Sequence, residues 1–306
     1  MKAVICTKYG GAEVLSIEEL PQPNIKSMEL LVRICASSVN SGDVVVRALK
    51  GNLFQKNIMK LIFGWKKLRN PILGTTYAGI VEQVGNEVKK FKIGDKVFGL
   101  RGFKFGTHAE FINVNENSIV EYKPVNASFE EAAAILFGGQ TAHYFIHQSN
   151  IPKISGLNIM IYGATGSVGT AAIQIAKYYG ASVTAVCSDY GEELVLKLGA
   201  DKVIFYNKVD FTQTDEKYNV ILDAVGKVSK KQCIHLLKNK GQFYSVSGLE
   251  YAKESKAQIR FLKNIFEIGN YDPCIDKVFT LNEIIEAHRY VDTGKKKGNV
   301  VLKINP

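Results

Sequence analysis

Cysteine is scarce in this chain of 306 residues: there are five, Cys6, Cys35, Cys187, Cys233 and Cys274. Their number is odd, their spacing is irregular, and no two stand as a C-x-x-C pair. That excludes a disulfide framework and argues against a cysteine zinc cluster. Also missing is any apolar run of about 18 residues, the length a membrane-spanning helix needs. There is no low-complexity tract, internal repeat or long linker, so neither a repeat array nor a disordered region is expected. The opening residues, Met1 to Lys8, enter a strand pattern directly and lack a signal peptide's longer apolar core and cleavage site. A cytoplasmic location is the expectation.

What is present supports real cores. Hydrophobic residues make up 46% of the chain, and its length exceeds the usual single domain, so two domains are expected. The formal net charge is +10, but the lysines are spread along the chain with acids between them. This reads as a solvated surface, and no nucleic-acid partner is expected.

One stretch organises the rest. Ile159 to Tyr162 are four consecutive apolar residues suited to a parallel strand covered on both faces, and Val168, Ala172, Ile175 and Ala176 then recur at helical spacing. Between strand and helix lie Ala164, Thr165, Gly166, Ser167, Val168 and Gly169. Gly166 and Gly169 fit the last two glycines of a dinucleotide fingerprint, with Ala164 at the first position. One glycine lets the backbone approach a pyrophosphate, the other lets helix and strand pack closely, and the helix N-terminus supplies N–H donors and positive potential. Ala181 to Val186 reads as a second strand and Glu192 to Leu198 as a second helix, which closes a βαβ unit.

Further strands are expected at Lys202 to Tyr206, Asn219 to Gly226 and Gly241 to Ser247, with helical stretches at Ser229 to Leu237 and Ile259 to Ile268. The result is a doubly wound, parallel-sheet Rossmann domain of five strands. The cofactor-binding set expected on it extends to Tyr206, Ala224, Val225, Val246 and Ser247. The polar stretch from Gly248 to Gln258 offers no run for a sixth strand.

Residues 1 to about 125 differ: short β-type runs at Lys2 to Cys6, Glu29 to Ala36, Tyr77 to Val84, Lys96 to Gly99 and Ala109 to Val114 are punctuated by glycine. Such spacing suggests a mostly antiparallel, barrel-like domain. Near the C-terminus, Asp276 to Phe279 reads as a strand, Leu281 to Gly294 as an amphipathic helix and Asn299 to Ile304 as a last strand.

The motifs Asn40-x-x-Asp43, Gly79-Ile-Val-Glu-Gln-Val-Gly85, Lys92-Ile-Gly-Asp95-Lys-Val-Phe-Gly99, Gly106-Thr-His-Ala109-Glu110, Gly138-Gly-Gln-Thr141 and Lys297-Gly298-Asn-Val-Val stand in a shared order with the fingerprint. In that order the sequence resembles the medium-chain dehydrogenase/reductase superfamily, specifically its zinc-free quinone oxidoreductase branch, over nearly the whole chain. The resemblance implies an α/β architecture. A GroES-like, β-rich catalytic domain (1–125, completed by 271–306) is expected around an inserted Rossmann domain (126–270).

It also implies roles. Asn40 would donate to substrate oxygen or cofactor, Asp43 would order its loop, and Tyr77 is a further donor or a core residue. Thr141 resembles the family threonine that meets the nicotinamide side of the cofactor, with a helix-start threonine as the plainer reading. His288 reads as structural. The zinc-binding relatives' ligand stations here carry Val39-Asn40, Thr75-Thr76 and Leu136-Phe137, none of which binds zinc well, so no metal is expected. Without a Lewis acid, hydride addition to a quinone or an α,β-unsaturated carbonyl is less demanding than oxidation of a simple alcohol, because the charge delocalises onto an oxygen that hydrogen bonds can support.

Cofactor choice rests on the end of the second strand. Cys187 stands where an NAD enzyme normally has an acid. Ser188 and Tyr190 can hydrogen-bond a 2′-phosphate, and Lys177 matches a lysine of phosphate-binding relatives. Asp189, about 20 residues beyond the glycine turn, opposes them. NADPH is expected over NADH. The expected partner is a small quinone or enone. The alternatives are an NADPH-binding protein with little turnover, acting through a partner, nucleic acid or membrane, and an enoyl-thioester reductase.

Residues 50 to 71 interleave Leu53, Phe54, Met59, Leu61, Ile62, Phe63 and Trp65 with Lys56, Lys60, Lys66, Lys67 and Arg69. The resemblance makes this a lid over the substrate cleft; its composition also suits peripheral contact with an anionic membrane. Relatives commonly dimerise through a sixth Rossmann strand, so this chain is expected to be a monomer, or a dimer through another surface.

Overall fold

The structure, a computed structural model, describes residues 1–247 and 252–305. It divides into two units, Met1–Leu136 with Ile275–Pro306, and Phe137–Cys274. The first unit opens with β1 (Lys2–Cys6), β2 (Leu15–Glu19) and β3 (Glu29–Val39), followed by helices α1 (Ser41–Ala48) and α2 (Leu53–Phe63). β4 (Thr76–Val84), β5 (Lys96–Leu100), β6 (Phe111–Asn115) and β7 (Val120–Tyr122) come next, then the long α3 (Phe129–Gln148), within which the division between the units falls.

In the second unit β8 (Asn158–Tyr162), α4 (Ser167–Tyr178), β9 (Ser182–Cys187), α5 (Glu192–Lys197) and β10 (Lys202–Phe205) alternate. β11 (Tyr218–Asp223), the short α6 (Lys230–Cys233), β12 (Leu237–Ser245) and α7 (Lys256–Glu267) complete it. The chain returns to the first unit through β13 (Ile275–Thr280), α8 (Ile284–Asp292) and β14 (Asn299–Lys303).

Around β3 the first unit builds a sheet in the order β13-β14-β3-β4-β5-β7, with β6 also on β3 and every pair antiparallel except β13 with β14. Strand periodicity explains its core: Leu30, Val32 and Ile34, spaced by two, enter one cluster with Tyr77, Val81, Val97 and Ile112. Val39, Val44, Leu73, Ile284 and Val300 enter another, which binds α1 and α8 to the strands. Each such buried aliphatic side chain contributes about 1.5–3 kcal/mol relative to exposure.

The second unit is a fully parallel five-stranded sheet in the order β10-β9-β8-β11-β12. β8 is central and its Ile159, Met160 and Ile161 are completely buried, as expected for a parallel strand covered on both faces. Among the described residues no sixth strand joins the sheet. Gly248 to Tyr251, part of the stretch on which that expectation rests, lie outside the described residues, and Ala252 to Ser255 are not in a strand.

Two local expectations are corrected. The stretch Ser229 to Leu237 holds only the four-residue α6, a 3-10 turn and the start of β12. Thr141 does not start a helix after Gly138 and Gly139, because α3 runs unbroken through them. A Cβ on Gly138 would lie 2.1 Å from the Ser167 carbonyl oxygen, so this glycine permits close approach instead of ending a helix.

Candidate active site

The second unit gathers its strand ends along one edge. After β8 comes the glycine turn, after β9 Ser188 to Tyr190, after β10 Tyr206 to Lys208, after β11 Ala224 to Gly226, and after β12 Val246 and Ser247. Contacts between these loops are close. The methyl carbon of Thr165 lies 2.4 Å from where a Cβ of Gly191 would stand, Val225 packs over Gly163, and Ser247 packs over Gly226. Gly163 and Gly226 have φ of 75° and 74°, the left-handed region that glycine enters without strain.

The two fingerprint glycines differ in a way that suits their expected tasks. A Cβ on Gly169 would meet the Gly163 carbonyl oxygen at 2.3 Å and the Ala164 Cα at 2.6 Å, so this residue lets α4 lie directly on the turn. A Cβ on Gly166 would meet nothing closer than 3.6 Å, and Gly166 caps α4 with no side-chain hydrogen bond. A helix start with no side-chain cap and no crowding atom at its glycine is a place where a phosphate can approach backbone N–H groups. The residues present therefore fit a dinucleotide.

Asp223, completely buried at the end of β11, holds the neighbouring loop in shape. Its carboxylate accepts from the N–H groups of Val225, Gly226 and Val228 and from the Ser245 hydroxyl. From the sequence Asp223 is expected only as a strand residue. Its position at a strand end before Ala-Val-Gly was the available signal.

Thr141 lies in the interior of α3, three residues after Gly138 and hence on a neighbouring position of the helix surface. Its hydroxyl donates to the Phe137 carbonyl at 3.0 Å. The helix-start reading is thus overturned, since the glycines before it do not break the helix. Next to it, Gln140 donates to the carbonyls of Ala252 and Lys253, a tie that sequence reading missed.

At the end of β9 the structure brings Ser188, Asp189 and Tyr190 beside the residues following β10. Asp189 accepts from the Asn207 amide at 3.0 Å and pairs with Lys208 at 3.2 Å, and these hydrogen bonds, Asn207 foremost, hold its carboxyl below the ordinary value. Tyr190 is 80% exposed, and the Tyr206 ring stands 5.9 Å from that of Tyr162. Asn207 and Lys208 were not singled out from sequence, although they directly follow Tyr206.

Lys177 is not brought to this group. Its ammonium pairs with both oxygens of Asp201, and Asp201 accepts the N–H of Val183 near the start of β9. Ser188 lies beyond the other end of that strand, roughly 16 Å along it.

In the first unit Asn40 and Asp43 form one hydrogen-bonded group at the start of α1. The Asn40 oxygen accepts from the N–H of Gly42 and Asp43, while its own N–H donates to Asp43, a reciprocal cap. The Asn40 amide nitrogen donates to the Thr75 hydroxyl at 2.9 Å, and the second Asp43 oxygen accepts the Gly74 N–H. Burial pushes the Asp43 carboxyl up, against the opposing pull of His108 and of the Asn40 and Gly74 N–H groups.

Tyr77 is not part of this group. It lies in the core of the sheet with its hydroxyl unpartnered 2.4 Å from where a Gly99 Cβ would stand, so the donor expectation gives way to packing. His288 is completely buried and in edge contact with His108 at 5.7 Å.

Zinc does not fit the residues present. The Thr75 hydroxyl and the Asn40 side chain bind each other, Leu136 is a buried hydrocarbon, and no group of three or more His, Cys, Asp or Glu among the described residues could hold a metal ion.

The alcohol dehydrogenase GroES-like domain family matches residues 26–124, and the zinc-binding dehydrogenase family matches residues 167–270 and, in a second form, 246–302. The 2-methylene-furan-3-one reductase of Solanum lycopersicum is 33% identical over 99% of this chain and 79% of its own length. The NADPH-dependent alkenal/one oxidoreductase of Arabidopsis thaliana, a chloroplastic protein, is 30% identical over the same shares. The solved quinone oxidoreductase of Coxiella burnetii superposes with a TM-score of 0.87 at 25% identity, covering 100% of this chain and 99% of that one. With two-unit architecture, glycine turn and full-length similarity in agreement, this chain belongs to the medium-chain dehydrogenase/reductase superfamily of zinc-type alcohol dehydrogenase-like oxidoreductases.

Proposed function

We propose that this chain is a zinc-independent reductase that uses NADPH to reduce α,β-unsaturated carbonyls, with quinones as related acceptors. The observation that carries the nucleotide half is the uncrowded Gly166, which starts α4 without a side-chain cap and has no atom closer than 3.6 Å to its Cβ position. Ala164, Thr165, Ser167, Val168 and Gly169 complete the turn that receives the pyrophosphate. Ala224, Val225, Val246 and Ser247 stand on the edge beside it, and Thr141 follows on α3 three residues after Gly138, which packs on Ser167. Ser188, Tyr190 and Lys208 meet the 2′-phosphate. Lys208 already holds Asp189 in an ion pair, which tempers the repulsion that a lone carboxylate would exert on that phosphate. Lys177 is left out of the set.

When bound, the cofactor supplies a hydride from its nicotinamide ring. A conjugated acceptor suits a chain without a Lewis acid, because the developing charge spreads to an enolate or quinol oxygen that hydrogen bonds can support. The names of the relatives share this chemistry: a methylene-furanone, an alkenal or enone, and a quinone all hold a carbon–carbon double bond conjugated to a carbonyl. Asn40 and Asp43 act as positioning residues, locking the start of α1 against Gly74 and Thr75 so that the loop keeps its shape.

Following NADPH oxidation with a panel of enones, quinones and carrier thioesters tests the reading. Turnover with enones or quinones supports it. A preference for the thioesters would make the chain an enoyl-thioester reductase, and tight NADPH binding without turnover on any acceptor would make it a binding protein.

A further inference from the structure

From Val44 to Val81 the sequence contains no Asp or Glu, while Lys56, Lys60, Lys66, Lys67 and Arg69 fall within it; Arg47 and Lys50 do too, but both pair with Asp292 and Arg47 is buried. The stretch from Ala224 to Leu249 is also free of acids and carries five lysines, but only the segment around α2 joins such charge to a cluster of exposed large apolar side chains. In α2 and just beyond it, Leu53, Phe54, Leu61, Ile62 and Trp65 are 80, 66, 70, 46 and 65% exposed. Helical geometry puts Phe54, Ile58, Leu61 and Ile62 on one side, at spacings of three and four, while Phe63 turns inward to meet Phe105.

The helix is built to hold this face outward. Asn52 caps it through the Gln55 N–H, with Gln55 reciprocating, and the Arg69 guanidinium donates to the Leu61 and Ile62 carbonyls at its other end. Lys60 lies 5.6 Å over the Trp65 ring, so a cation and an aromatic ring are presented together. An apolar stripe flanked by lysines, with a tryptophan at its edge and no acid to repel phosphates, is complementary to an interface that is both greasy and anionic. No helix among the described residues is long and apolar enough to cross a membrane, so the contact is one of lying on the surface.

We infer that α2 and the segment through Arg69 dock this protein onto anionic phospholipid bilayers, with Phe54, Leu61, Ile62 and Trp65 entering the headgroup boundary and the surrounding lysines meeting lipid phosphates. The chain would thereby work beside a membrane, where apolar acceptors partition. This surface claim stands independently of the reaction proposed above.

Trp65 is the chain's single tryptophan, so its fluorescence reports this segment alone. The full-length protein is mixed with vesicles of phosphatidylcholine, with or without phosphatidylglycerol, at low and high salt. The expected result is co-sedimentation with the anionic vesicles only, an emission shift to shorter wavelength on binding, and loss of both in high salt. Lys66→Glu/Lys67→Glu and Phe54→Glu/Leu61→Glu each weaken vesicle binding about tenfold or more, while circular dichroism shows the fold intact. Failure to bind anionic vesicles overturns the inference. So does binding that leaves Trp65 emission and both double variants unaffected, since the contact then lies elsewhere. An emission shift caused by enone or quinone, with vesicles inert, would make the segment a substrate lid instead, and binding to an oligonucleotide in place of vesicles would also refute the claim.

Discussion

Gly138 and Ser167 are pressed together so closely that a methyl group on the first would stand 2.1 Å from the carbonyl oxygen of the second. The long helix α3 thus rests on the first residue of the helix that follows the glycine turn. Because the obstructing atom is backbone, neither side can yield by a rotamer change. Gly138→Ala is expected to destabilise the protein by about 1–3 kcal/mol and to weaken NADPH binding by displacing the turn. Gly139→Ala meets the end of the Leu262 side chain, at 2.8 Å, which can rotate, so its effect is smaller. Thermal melting and NADPH titration of the two variants check the order; equal effects would contradict it.

The proposed preference for NADPH rests on the pair Asp189 and Lys208. Lys208→Ala is expected to weaken NADPH binding about tenfold while leaving NADH nearly unchanged, because a charge-assisted bond to phosphate is lost. Asp189→Asn should tighten NADPH. Titration with both nucleotides measures this; loss of NADH affinity in Asp189→Asn would instead assign Asp189 to the ribose hydroxyls.

The proposed zinc independence rests on Thr75, Asn40 and Leu136 standing at the stations where the zinc-binding relatives have ligands. Elemental analysis of purified protein should find no stoichiometric zinc, and a chelator should leave activity intact. One firmly held zinc per chain is the contrary result.

Acid should destabilise the second unit through His143. Burial foremost, then the neighbouring His147, pushes its imidazole down to about 4, and its ring lies 4.5 Å from that of Phe261. The unfolded value is about 6.5, so in the window between the two the unfolded chain binds more protons. The stabilisation is complete above that upper value and is lost as pH falls toward the lower one, by about 3 kcal/mol in all. In the first unit the buried His288, its imidazole likewise held down by burial, adds an acid sensitivity of its own. Melting temperature recorded against pH should fall over this interval, and His143→Phe should flatten the fall; an unchanged slope in the variant would contradict it.

Much of the fold was legible because it is written in local pattern. Ile159 to Tyr162 are apolar without period, Gly166 and Gly169 stand in fingerprint spacing, and a sheet of five strands follows. What stayed hidden depends on neighbours distant in sequence. A glycine pair inside a helical pattern reads equally as a break or as a close approach, and only the Ser167 carbonyl decides for Gly138. Lys177 carries the right charge on the right helix, yet Asp201 draws it to the far end of β9. Asn40 looked like a free donor because its cap on α1 and its bond to Thr75 join residues up to 35 positions apart. The compartment is not written in the fold, which relatives named as chloroplastic and mitochondrial share.

Delivery of hydride to the carbon–carbon double bond of an enone is tested most directly by isotope. NADPH deuterated at both hydrogens of nicotinamide C4 is incubated with the protein and an enone, and the product is analysed by mass spectrometry and NMR. The expected product is the saturated ketone with one deuterium at the carbon β to the carbonyl. Deuterium on the carbinol carbon of an allylic alcohol, or cofactor consumption with no deuterium in the product, would contradict it.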